Sequence, residues 1–112
     1  MADVAFAVPI VEGKETLDRH VMQEMDSTRR EEYEAAMQRA GMKRHAVWHQ
    51  ETPQGMVAVV YVEADDPMAA LRDFGGSDEP FNQWFREQMQ DVHGIDISAS
   101  VPEVRQVHDH AA

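Results

Sequence analysis

The chain contains no cysteine, which removes disulfides, thiolate metal sites and a cysteine nucleophile together. Stability must then come from packing and association, and a reducing, cytoplasmic setting is expected. Long apolar runs are missing too. Val4 to Val11 is the one apolar stretch near the N-terminus, with Asp3 before it and no basic flank, too short for a signal peptide or a membrane span. Positive charge is scarce: ten Lys plus Arg stand against twenty-one Asp plus Glu, a formal charge of -11. Such a field repels phosphate backbones and anionic lipid over a Debye length of ~8 Å, so neither nucleic acid nor membrane is an expected partner. There is no glycine-rich phosphate loop and no Gly-x-Ser-x-Gly elbow. Gly75-Gly76-Ser77 precedes a helix, but Asp78 and Glu79 set negative charge where an anion would sit.

What is present reads as one domain over residues 1–112, with an ordered core about 3–107. Val4 to Ile10 alternates larger and smaller apolar residues as a strand does, with Pro9 marking an edge or a strand end. Leu17, Val21 and Met25, then Tyr33, Ala36, Met37 and Ala40, recur at helical spacing up to Gly41. Asp26-Ser27-Thr28 with Glu31 has the form of a capping box, so this stretch is one kinked helix or two in succession. Lys43–Gln50 and Met56–Glu63 read as strands around Thr52-Pro53-Gln54-Gly55, a type I turn closed by a glycine bulge. Asp66-Pro67 opens a short helix that stops near Gly75-Gly76. A second helix follows Ser77–Pro80, with Phe81, Trp84, Phe85, Gln88, Met89 and Val92 as its stripe and His93-Gly94 as its close. Val101, Val104 and Val107 suggest a last strand, and residues 108–112 a frayed end. The order is β-α-β-β-α-β, an α+β ferredoxin-like arrangement with a four-stranded antiparallel sheet.

A bulged loop pairs Thr52 with Met56, which puts Gln50, Trp48 and Ala46 opposite Ala58, Val60 and Val62 on a helix-covered face. The other face then carries His49 opposite Val59, Val47 opposite Tyr61 and His45 opposite Glu63. An apolar face with no cover in its own chain calls for a second copy, so a homodimer is expected.

With this layout the chain resembles the dimeric α/β-barrel superfamily, whose members pack two ferredoxin-like sheets face to face and often bind small molecules between sheet and helices. The segments 50–55, 63–67, 80–85 and 93–96 resemble a group of short bacterial proteins of unknown function. Glu32-Tyr33, Trp84-Phe85 and Asp18-Arg19-His20 are more loosely similar to the sugar mutarotases of that superfamily. The resemblance implies a cofactor-independent small-molecule enzyme, isomerase-like or monooxygenase-like. A non-catalytic binding protein and a structural dimer are the alternatives.

His45 and His49 have the H-x-x-x-H spacing of a helical metal site, yet on a strand they lie roughly 13 Å apart at ~3.3 Å per residue and cannot share an ion. No metal and no cofactor is expected. His45, Glu63 and Tyr61 are instead the candidate catalytic residues, a His/Glu pair for proton transfer with a phenol as hydrogen-bond donor. His20, His49 and Trp84 are candidate ligand-binding residues around them. The methionines and Phe85 read as core filling.

Overall fold

The computed structural model describes residues 2–96 and 103–112. Seven elements follow one another: β1 (Ala2–Pro9), α1 (Glu15–Met25), α2 (Arg30–Ala40), β2 (Met42–Thr52), β3 (Gly55–Ala64), α3 (Pro67–Gly76) and α4 (Pro80–His93). The sheet order is β1-β3-β2, with both pairings antiparallel.

This corrects the ferredoxin-like expectation. Among the described residues the sheet has three strands, not four, and four helices accompany them. Of the expected last strand, Val101 lies outside the described residues, while Val104 and Val107 are in irregular chain and Val107 is 88 % exposed. Val104 and Val107, isolated among polar residues, bury too little apolar surface to hold a strand against a sheet.

The helix breaks have local causes. Ser27 does not cap α2; its hydroxyl donates to the Gln23 carbonyl at 2.6 Å, bonding back to the preceding turn. The chain therefore leaves α1 at Asp26 and restarts at Arg30. Gly41 ends α2 and Gly94 ends α4, at φ 73° and 70°, left-handed conformations that disfavour a side chain. Asp66 caps α3 by accepting from the Ala69 amide at 3.1 Å, with Pro67 in the first turn.

The hairpin register differs from expectation by one residue. Thr52 pairs with Gly55, leaving a two-residue loop of Pro53 and Gln54. The Thr52 hydroxyl donates to the Gly55 carbonyl at 2.7 Å and accepts from the Gln54 amide at 3.2 Å, closing the turn without a bulge. The irregularity lies at the far end of β2, between Met42 and Arg44. Because strand side chains alternate, a one-residue shift exchanges the faces of β2 relative to β3. His45, Val47 and His49 now pair with Val62, Val60 and Ala58, in line with Val4, Phe6 and Val8 of β1. This face meets the helices. Its core joins Val62, Ala58 and Met42 to Val21, Met25, Phe74, Phe81, Phe85, Met89 and Val92. The opposite face carries Arg44, Ala46, Trp48 and Gln50 beside Val57, Val59, Tyr61 and Glu63, then Asp3, Ala5 and Ala7.

Candidate functional site

The corrected register divides the expected site. Tyr61 and Glu63 are on the sheet face away from the helices, where the single Tyr61 hydroxyl hydrogen lies between Glu63 Oε1 at 2.7 Å and Asp3 Oδ2 at 3.0 Å. These carboxylates hold the phenol above its ordinary pKa, the Glu63 hydrogen bond contributing most. His45 and His49 lie under the helices, so no His45–Glu63 pair forms. His20 is exposed on α1. Trp84 packs 5.7 Å from Phe81 with the Arg29 guanidinium 4.0 Å over its ring, which ties α4 to the residue preceding α2.

Around His45 and His49 a different site assembles. The period of α1 sets Asp18 on the same stripe as Val21 and Met25, and its side chain is 1 % exposed. His49 Nε2 donates to Asp18 Oδ2 at 2.7 Å, the short contact of a charge-assisted hydrogen bond. Asp18 Oδ1 has no partner, and among the described residues it is the one side-chain polar atom so buried without one. Burying a carboxylate oxygen unbonded costs about 1–3 kcal/mol or more, so the arrangement needs a reason beyond packing.

His45 sits between Tyr33 and Phe74, with ring centroids 6.0 Å from each. Tyr33 Oη lies 2.8 Å from His45 Nδ1. Tyr33 is half-buried against Phe74 and Phe81, whose rings offer no oxygen or nitrogen to accept a proton. With the Tyr33 hydroxyl as the donor to Nδ1, the neutral imidazole carries its own hydrogen on Nε2. Desolvation pushes the His45 pKa down to about 4, partly opposed by the Asp18 charge. Desolvation likewise raises the Tyr33 phenol well above its ordinary value. Near neutrality both are uncharged.

Asp18 and His45 line one cavity of about 90 Å³ between the sheet and helices α1, α3 and α4. Phe6, Val47, Val60, Met22, Phe74 and Phe85 form much of its apolar wall. His93 stands at the rim, 2.8 Å from the Pro9 carbonyl through Nδ1. A larger cavity of about 330 Å³ lies between α2, α3 and the start of α4, where Arg39 and Arg72 are matched by Asp73 and Glu79. There the buried Asn82 is satisfied, Oδ1 accepting from Arg39 at 3.3 Å and Nδ2 donating to the Phe74 carbonyl at 2.7 Å.

No metal-ligating cluster of three or more His, Asp or Glu occurs among the described residues, and no helix there is long and apolar enough to cross a membrane. Comparison with known proteins finds no matching family model, no matching curated protein and no matching solved structure.

Asp18 and Tyr33 are the site residues that the hairpin-based reading passed over. Asp18 had a signal: an acidic residue stands at position i of an otherwise apolar i, i+3, i+7 stripe with Val21 and Met25.

Proposed function

We propose that the protein binds a small, mostly apolar molecule in the cavity between sheet and helices and performs acid–base chemistry on it, with Asp18 meeting the ligand's polar group. The observation that carries this reading is the buried Asp18 Oδ1, unpartnered while its twin oxygen is held by His49. An apolar wall with few convergent polar groups is the usual make-up of a small-molecule site. At about 90 Å³ the space is smaller than a cavity on the order of 150 Å³ that holds benzene, so a one-ring ligand seats there only by extending into the opening or displacing the apolar wall. The absence of cysteine suits work in the reducing cytoplasm.

Phenol and toluene test it by titration calorimetry or ligand-observed NMR. Both present one apolar ring to the cavity, but phenol alone offers an O–H to Asp18 Oδ1. Phenol is expected to bind roughly 10-fold or more tighter, because a hydrogen bond to a charged group is worth about 1.5–3 kcal/mol. The preference should shrink several-fold in Asp18→Asn. Equal affinities in the wild type, or no binding of either, would remove the reading.

A homodimer is proposed on a separate observation, the 54 % exposure of Trp48 on the helix-free sheet face beside Val57 and Val59. Register lines up Arg44, Glu63 and Asp3 at one level, and Trp48, Val59 and Ala7 at another. A two-fold axis along β3 would lay β2 of one copy over β1 of the other. Arg44 then meets the partner subunit's Asp3, and the large Trp48 meets the partner subunit's Ala7. Glu63 meets its own copy on the axis, flanked on both sides by the Arg44–Asp3 pairs, and the face is self-complementary in size. Trp48→Ala is expected to raise the dimer dissociation constant about 30-fold or more, as loss of a central tryptophan does. Light scattering across concentrations reads this directly. A wild type that stays monomeric at high concentration ends the proposal.

A further inference from the structure

We propose that the cavity isomerises small enolisable ketones, with Asp18 Oδ1 as the base that takes a C–H proton and His45 Nε2–H as the donor to the carbonyl oxygen. The inference rests on the cavity reading above and adds the reaction and substrate class to it.

Three features converge on this chemistry. Asp18 has one oxygen tied to His49 at 2.7 Å and one buried without a partner, so its orientation is set while one acceptor atom is left unsatisfied. His45 has Nδ1 occupied by the Tyr33 hydroxyl at 2.8 Å, which leaves Nε2–H as the ring's donor on a residue lining the same cavity. The wall between them is apolar, suited to the hydrocarbon part of a substrate and to excluding water. A carboxylate base beside an uncharged imidazole donor is a known way to move a proton next to a carbonyl. The imidazole can hydrogen-bond the oxygen without bringing a full positive charge into an apolar site.

The step balances within the substrate. For a β,γ-unsaturated ketone, the Cα–H bond breaks and its proton passes to Asp18 Oδ1. The C–H electron pair forms a carbon–carbon double bond, and the carbonyl π pair moves to oxygen, where the His45 Nε2–H hydrogen bond receives the developing charge. Asp18 then returns the proton to Cγ, the original double bond shifts into conjugation, and the carbonyl reforms. Nothing is oxidised or reduced and no co-reactant is needed. His49 is a positioning residue here, because it touches only Asp18.

Cyclohex-3-en-1-one is a fitting probe: one six-membered ring, uncharged, and converted to a conjugated enone with its own ultraviolet absorbance. The wild type is expected to accelerate conversion about 100-fold or more over buffer, the scale of positioned acid–base catalysis. Asp18→Asn should return the rate to that of buffer. His45→Phe, which keeps a ring in the aromatic cluster, should lower kcat about 10-fold or more with a smaller change in KM, and exposed Glu87→Gln should leave the rate unchanged. Saturation-transfer NMR with cyclohexanone reads binding separately, and circular dichroism checks the fold of each variant. Cyclohexanone binding without conversion of the enone overturns the proposed reaction and leaves the binding site standing. Absence of both overturns the two together, and full activity in folded Asp18→Asn overturns the assignment of the base.

Discussion

Phe74→Ala is expected to cost about 3–5 kcal/mol of unfolding free energy, the range for truncating a buried phenylalanine. Phe74 is 4 % exposed and its ring lies 5.1 Å from Phe85, 6.1 Å from Phe81, 6.3 Å from Tyr33 and 6.0 Å from His45. It joins α2, α3, α4 and β2 at one point, so no single neighbour can close over the space left behind. Against a typical domain stability of about 5–15 kcal/mol, the loss brings the chain near its folding threshold. Thermal unfolding should begin roughly 15 °C or more lower. Phe74 also forms part of the cavity wall, so its removal should enlarge the site, and saturating toluene should restore part of the lost stability by mass action. A cost below about 1 kcal/mol, measured by urea denaturation, would mean that the aromatic cluster collapses on truncation and that the cavity wall is pliable.

The sequence made the local elements legible wherever one residue carries a strong conformational demand. Asp66-Pro67, Gly41 and Gly94 each mark a helix boundary because their backbone preferences admit few alternatives. The stripe from Phe81 to Val92 was equally plain, since five residues of α4 are buried at helical spacing. Tertiary choices were not marked in this way. Thr52 could open a bulged loop or close a two-residue one, and its hydroxyl settles the matter through two bonds that span the turn. That choice costs little locally, yet it decides which side of the sheet every residue of β2 occupies.

The candidate site shows the consequence. Register alone separates His45 and His49 from Tyr61 and Glu63, which the expected pairing had set on one face. Once the histidines turn toward the helices, their partners come from α1 and α2, namely Asp18 and Tyr33. These contacts span 31 and 12 residues. Periodicity in one helix cannot supply them; it can only flag that a carboxylate stands on an apolar stripe. The fourth strand failed for the opposite reason. A topology argument extended the sheet into a segment whose own residues, at Val104 and Val107, do not form a strand.

Acidification should destabilise the wild type more than His45→Phe. The ordinary histidine pKa of ~6.5 applies to the unfolded chain, and desolvation lowers the folded value to about 4. Between these values the unfolded chain binds a proton that the native imidazole does not. The native state therefore holds the full contribution above pH ~6.5, and loses it as pH falls toward 4. The expected loss between pH 7 and pH 4.5 is about 2–3 kcal/mol, or roughly 1–2 M in urea midpoint. The groups facing His45 set the sign. Tyr33 stays a neutral phenol in this range, Asp18 favours the protonated ring but is outweighed by burial, and His93 stands at the cavity rim. In His45→Phe the Tyr33 hydroxyl loses its acceptor, so the variant starts about 1 kcal/mol less stable at pH 7. Its midpoint should then fall less on acidification, and the two curves should converge or cross between about pH 5.5 and 6. Parallel pH profiles would show that His45 takes up a proton as readily in the folded state as in the unfolded one. That result would also remove the uncharged imidazole from the cavity, leaving Asp18 to act without it.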